Sequence, residues 1–146
     1  MALLEVENVS KAFGSLKAVD GVSFKVSAGE IFGVAGPNGS GKSTLFNLIT
    51  GIPFGPDSGS IKLDGIELKG KSGNEIARLG LARTFQRETS FDGLTVFENA
   101  LMGAGYGKPG RTAAAAVRES AAEALEFVGL STPVFGRLAS ELSVFD

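Results

Sequence analysis

The chain has 146 residues, 43% of them apolar and 21% charged, with a formal net charge of -2, the profile of one globular domain. No polycationic surface advertises nucleic acid, the lack of cysteine excludes disulfides and thiolate metal sites, and the lack of histidine excludes imidazole chemistry within these residues. Glu5 and Glu7 interrupt the first apolar residues too early for a secretory signal core, and no apolar run reaches the roughly 20 residues that span a bilayer, so a cytoplasmic domain without a transmembrane segment is expected.

Residues 3–9 (LLEVENV) and 22–26 (VSFKV) alternate apolar and polar, the period of half-buried strands, with a turn and a further strand between them. Ile31–Ala35 (IFGVA) is instead a continuous apolar run, which predicts a strand covered on both faces. A helix is predicted over Lys42–Thr50, closed by Gly51. The glycine- and proline-rich residues 51–60 predict a loop, and SIKLDGIEL predicts two short strands joined at Asp64-Gly65. Ser72-x-x-Glu75 has the form of a capping box opening a short helix to about Leu79, and LARTFQ (Leu81–Gln86) reads as another strand. A second box, Thr95-x-x-Glu98, predicts a helix to about Met102, followed by a flexible connection, GAGYGKPG. Residues 112–128 give the clearest helix, with Val117, Ala121, Leu125 and Val128 along one face and Gly129 at its end. This order suggests an α/β domain: a parallel-sheet core with an antiparallel layer, then a helical annex from about residue 90.

Chemistry concentrates in Gly36-Pro37-Asn38-Gly39-Ser40-Gly41-Lys42-Ser43, which fits G-x-x-x-x-G-K-[ST] between a predicted strand and a predicted helix. Glycines let successive backbone N–H groups point into one concavity that fits phosphate oxygens, and the following helix aims the positive end of its dipole there. Lys42 would reach the β- and γ-phosphates, the Ser43 hydroxyl would ligate Mg²⁺, and Thr44 adds a further donor. The cofactors the loop implies are a nucleoside triphosphate and Mg²⁺.

The loop alone names no reaction. GPNGSGKSTLFNLITG, then PDSGSIKLDG, LARTFQ, FDGLTVFENAL and LASELS, in this order, resemble the ATP-binding subunit of ABC transporters. "GLARTFQ" and "LTVFENAL" are most similar to the ATPases of branched-chain amino acid importers. The resemblance implies a P-loop NTPase core with an antiparallel β subdomain over residues 1–89 and part of a helical subdomain over 90–146, the C-terminal part of the domain being missing. Phe13 falls where the family stacks an aromatic on adenine, although a phenylalanine between strands by itself reads as core. Gln86 falls where the family has a glutamine that touches Mg²⁺ and the attacking water, although a lone glutamine reads as surface. The catalytic residues implied are Lys42 and Gln86. Lys69 and Lys71 read as solvated charges, and Arg83 and Arg87 receive no role.

Hydrolysis in the family also uses an aspartate and glutamate ending an apolar strand, a switch histidine, and a signature loop lent by a second subunit. No apolar run here ends in Asp-Glu, and histidine is absent. Leu142-Ser143 match the start of the signature, but Phe145 stands where the family has glycine, and a ring there obstructs close backbone approach. The expectation is a truncated transport ATPase that binds ATP and Mg²⁺ without turnover, marginally stable and prone to aggregate through Ile31–Ala35. In the complete protein it would form a head-to-tail ATPase dimer and drive a transmembrane permease from the inner face of the cell membrane. The alternatives are a nucleotide-dependent regulatory module without enzymatic activity and, more remotely, a small-molecule kinase; for the last, residues 51–60 lack the required lid.

Overall fold

The alternating N-terminal residues form a long hairpin in the computed structural model, which describes residues 2–85, 90–106 and 113–142. Strand β1 (Ala2–Phe13) turns at Gly14-Ser15 and returns as β2 (Leu16–Ser27), antiparallel, with Val6 opposite Phe24 and Phe13 opposite Leu16. The ladder slips near Asn8 and Gly21, where Ser23 Oγ and Ser10 Oγ accept the Asn8 and Gly21 amides. β3 (Ser58–Leu63) pairs with the other edge of β1, and β4 (Ile66–Glu67) with β3, giving the order β2-β1-β3-β4, antiparallel throughout. Asp64 and Gly65, at φ 48 and 76, make the β3–β4 turn, the two positive φ values of a type I′ hairpin.

Helix α1 (Lys42–Thr50) lays Leu45, Leu48 and Ile49 against Val6, Val9, Val19 and Ile61 of the sheet. The i, i+3, i+4 spacing puts the three on one stripe, and each buried side chain contributes about 1.5–3 kcal/mol. Gly51 ends the helix with its N–H donating to Asn47 O. Helix α2 (Gly73–Arg78) opens with the reciprocal Ser72–Glu75 box and buries Ile76 in the same core. Arg83 is held inward: its Nη1 donates to Asn47 Oδ1 at 2.6 Å and to Thr50 Oγ1 at 3.4 Å, at the end of α1.

Two expected strands are not strands. Residues 31–35 and 81–85 have no ladder among the described residues. Phe32 stacks on Phe24 of β2 with ring centroids 4.8 Å apart, and Val34 packs on the core, but Ile31 is 100% exposed. One side of the run is covered and the other faces solvent. The physical reason is that apolarity recruits a packing surface, whereas a strand also needs a neighbour for its N–H and C=O groups. The described sheet is the expected antiparallel layer, and no parallel pairing of the expected core is present among the described residues.

The chain divides into two compact units, Met1–Arg83 and Thr84–Asp146. In the second, α3 (Val96–Tyr106) begins at the reciprocal Thr95–Glu98 box and continues past Met102, so the first four residues of the expected connection are helical. Residues 107–110 of that connection lie outside the described residues. α4 (Ala114–Phe127) buries Ala121 and Leu125, while Val128, expected on that face, caps the helix and is exposed. The main chain at 135–139 returns to the start of α3: Val96 N donates to Arg137 O, Phe97 N to Phe135 O and Ala139 N to Leu94 O. Phe97 stacks on Phe135, and Arg118 lies over the Phe97 ring.

Replacing the solvent-facing Ile31 with Ser is expected to shift the melting temperature little, since surface changes fall within about 0.5 kcal/mol, but to lower aggregation measured by light scattering at high concentration. Unchanged scattering would locate the aggregation elsewhere.

Candidate functional site

The phosphate-loop residues Gly36, Asn38, Gly39, Ser40, Gly41, Lys42, Ser43 and Thr44 lie in one continuous loop and first helical turn. A short turn closes within the loop, with Ser40 N donating to Pro37 O at 3.2 Å. Gly39 and Gly41 take φ of 82 and 86, and Gly41 is the residue before α1, with no side-chain cap on the helix. The first-turn amides of a helix have no intrahelical acceptor, and here they stand beside the two left-handed glycines, an arrangement that concentrates N–H donors on an anion. Asn38, Gly39, Ser40 and Ser43 are exposed, and Lys42 and Thr44 half-buried.

Gly41 is fixed by space as well as by backbone angle. A Cβ there would stand 2.1 Å from Ala18 O and 3.7 Å from Val19 Cγ2, both on β2. The helix start is pressed against the hairpin. At Gly36 a Cβ would meet Ser40 Oγ at 2.7 Å, so the loop also closes on itself.

Lys42 Nζ sits over this loop, donating to Gly36 O and Pro37 O at 2.7 Å each and to Ser40 Oγ at 3.4 Å. The ammonium is therefore held at the mouth of the amide cradle, where it can add a point charge to any anion the amides take. Amide donors, helix dipole, a cation and the Ser43 hydroxyl are the donor set a triphosphate with a hard divalent cation requires. The residues present fit that group.

Phe13 ends β1, and its exposure of 44% leaves part of the ring in solvent. It stands opposite Leu16, two residues along β2 from the Ala18 carbonyl that Gly41 meets, or about 7 Å at a strand's rise. One hairpin thus carries both the phosphate loop's backing and the aromatic ring. Gln86, assigned to catalysis and Mg²⁺, lies outside the described residues, as do Arg87 and Ser143–Asp146 of the expected signature.

A cluster around Phe13 was not foreseen. Phe54, from the loop after α1, meets the Phe13 ring edge-on at 5.2 Å and 71°. Lys11 Nζ lies 5.6 Å from the Phe13 centroid and 5.4 Å from that of Phe54. Asp57 Oδ1 accepts from Lys11 Nζ at 2.5 Å, and its Oδ2 accepts the Ala12 N–H at 2.9 Å. No motif marks Lys11 or Phe54, and Asp57 stands in the PDSGSIKLDG segment without a role assigned to it; the one available signal for Phe54 is an aromatic residue inside a glycine/proline loop.

Four carboxyls of this unit are held below the ordinary carboxylate range, Glu5 among them by its hydrogen bond from the Lys25 ammonium. The Ala12 amide and then the Lys11 ammonium do this for Asp57, and the Ser72 hydroxyl and amide for Glu75. For Glu67 burial pushes upward, but the Ser60 hydroxyl and the Lys69 and Ile61 amides outweigh it.

A family description, ABC transporter, matches residues 19–144. The chain is 45% identical over 100 residues to the high-affinity branched-chain amino acid transport ATP-binding protein BraF of Pseudomonas aeruginosa, covering 68% of this chain and 39% of that protein. It is 40% identical over 149 residues to the ribose import ATP-binding protein RbsA of Rhodococcus jostii, covering 99% of this chain and 28% of that protein. A solved ATP-binding cassette of an ABC transporter, in its ADP conformation, superposes with a TM-score of 0.80 at 36% identity, covering 99% of this chain and 60% of that one. The chain thus spans 28% to 60% of the length of these relatives, under two thirds of each. The shared fold is the α/β P-loop NTPase fold of an ATP-binding cassette, as the sequence implied.

Two outcomes follow. Gly41→Ala, which combines a positive φ with a backbone clash, is expected to destabilise the first unit by more than about 2 kcal/mol, read as a fall in melting temperature; a neutral result would contradict the close approach to Ala18. A carboxyl held below its unfolded pKa stabilises the fold above the unfolded value and loses that contribution as pH falls through the folded one. The melting temperature is therefore expected to decline from about pH 5 toward pH 3, and the decline to be shallower in Asp57→Asn; identical slopes would contradict the role of Asp57.

Proposed function

We propose that this chain, which belongs to the ABC transporter family, is an ATP-binding part of a transport ATPase. The observation that carries the reading is the phosphate loop: a helix start pressed against β2 at Gly41, with the Lys42 ammonium held over the loop. The amides of the loop and first turn bind the β- and γ-phosphates, Lys42 adds its charge, and Thr44 donates a further hydroxyl. Ser43 Oγ, with Gln86 by family resemblance, is the protein's contribution to holding Mg²⁺. When bound, that ion offsets charge on the phosphate oxygens. Phe13 takes the adenine ring by stacking.

On this reading residues 1–89 are the nucleotide-binding core with its β subdomain, and 90–146 belong to the helical subdomain. The chain acts with a second ATPase subunit, head to tail, and with a transmembrane permease that places it on the inner face of the cell membrane. No described helix is long and apolar enough to cross a membrane. The solute is a small polar molecule taken up by import. "GLARTFQ" and "LTVFENAL", with the likeness to BraF, favour a branched-chain amino acid over the ribose named for RbsA.

These 146 residues bind ATP without turning it over. They contain no histidine and no apolar run ending in Asp-Glu, so acceptance of the attacking water's proton has no assigned group. The same absence favours a second reading, a nucleotide-dependent regulatory module, which predicts a defined protein partner gained or lost with ATP in size-exclusion chromatography.

Titration calorimetry of the chain with MgATP tests the first reading. Lys42→Ala is expected to weaken binding about 10- to 100-fold, the loss of a charge-assisted contact, with the circular dichroism unchanged. Equal affinity in the two proteins would overturn the site. Phosphate release by the purified chain, abolished in Lys42→Ala, would overturn binding without turnover.

A further inference from the structure

We propose that Phe54, together with Asp57 acting through Lys11, positions the ring of Phe13 for the nucleotide base, so that the loop after α1 is a determinant of base affinity. The inference rests on the reading of Phe13 as the base platform. A phenylalanine at a hairpin tip, half in solvent, ordinarily samples several rotamers and loses that freedom when a base stacks on it. Here it does not stand alone. Phe54 meets it edge-on at 5.2 Å, and the Lys11 ammonium is within 5.6 Å of both ring centroids. Lys11 in turn is fixed by Asp57, whose second oxygen accepts the N–H of Ala12, the residue before Phe13. Each contact restricts either the ring or the backbone that carries it.

The connectivity gives this arrangement a consequence. Helix α1 begins at the phosphate loop and ends at Thr50, and the segment that leaves it carries Phe54 and Asp57 back to the tip of the hairpin. One short helix therefore carries the phosphate loop at its start and, in the segment that follows its end, the residues that pack on the proposed base platform. The Asp57 amide also donates to Ser10 O at 3.0 Å, which ties the loop's backbone to β1 independently of the rings. Loss of the Phe54 ring should thus loosen Phe13 without detaching the loop.

The test compares MgATP with magnesium tripolyphosphate, which has the phosphates but no base, as ligands of the full chain carrying Phe13→Ala, Phe54→Leu, Phe54→Tyr or Asp57→Asn. Phe54→Leu is expected to weaken MgATP about three- to tenfold, the range of an aromatic pair, and to leave tripolyphosphate within about twofold. Phe54→Tyr should restore MgATP affinity, and Asp57→Asn should weaken it in the same selective way by about two- to threefold. Equal weakening of both ligands in Phe54→Leu would overturn the proposal in favour of a purely structural loop. So would a loss of MgATP affinity in Phe13→Ala with none in Phe54→Leu. If Phe13→Ala itself leaves MgATP binding intact, the base platform falls, and this proposal with it. If neither ligand binds the unaltered chain, the nucleotide reading fails instead. Should Phe54→Leu not fold, Asp57→Asn decides alone by the same comparison.

Discussion

The contact between Gly41 and the Ala18 carbonyl organises the first unit. Helix α1 can start where it does only because residue 41 has no side chain, for a Cβ would stand 2.1 Å from that carbonyl oxygen. Two things follow from the approach. Leu45, Leu48 and Ile49 reach the sheet and join Val6, Val9, Val19 and Ile61 in the core. The first-turn amides, which no helix can satisfy internally, are set beside a rigid hairpin with the Lys42 ammonium held over the loop. The packing of α1 and the placement of the proposed anion cradle thus depend on one missing methyl group.

Around that point the unit is closed by polar ties rather than by more apolar surface. The buried Thr50 hydroxyl donates to Phe46 O, and Arg83 donates to Asn47 and Thr50. Asp57 holds Lys11 and the Ala12 amide, and Glu67 accepts from Ser60 and from two backbone amides. Among the described residues no buried side-chain nitrogen or oxygen is left without a hydrogen bond. A buried polar group that lacked a partner would cost about 1–3 kcal/mol, so in a unit with a short core these ties are as necessary as the leucines.

The second unit uses the same devices on helices. Thr95 and Glu98 exchange bonds at the start of α3, and the Asn99 side chain bonds the main chain at Phe91, Leu94 and Thr95. Main-chain bonds from the 135–139 segment then fasten to the same end of the helix. Gly103 and Gly105 lie within α3, each weakening it by about 1 kcal/mol relative to alanine. At Gly105 the added methyl would stand 3.8 Å from Val117 Cγ1, so α4 packs close to a position that local propensity would have made a break.

Local signals were legible where local physics decides. The phosphate loop, the span of α1, the Asp64-Gly65 turn and both capping boxes follow from residue types at fixed offsets, because each is a bond or a backbone angle within a few residues. The strands expected over 31–35 and 81–85 are absent among the described residues because apolarity reports burial, while a ladder is a relation between segments. Ile31 shows the difference, for the residues that would pair its strand are not a property of the run itself. The early end expected for α3 failed because glycine propensity was weighed without the neighbour that α4 provides. The grouping of Lys11 with Phe54 and Asp57 was not legible for a similar reason: Lys11 lies 46 residues from Asp57 along the chain. The sequence by itself determined the glycine loop and the helix that starts from it, since both are made by consecutive residues. Only the tertiary structure decided which side chains stand around Phe13, because that grouping exists only once α1 has packed on the hairpin and carried its trailing loop back to β1.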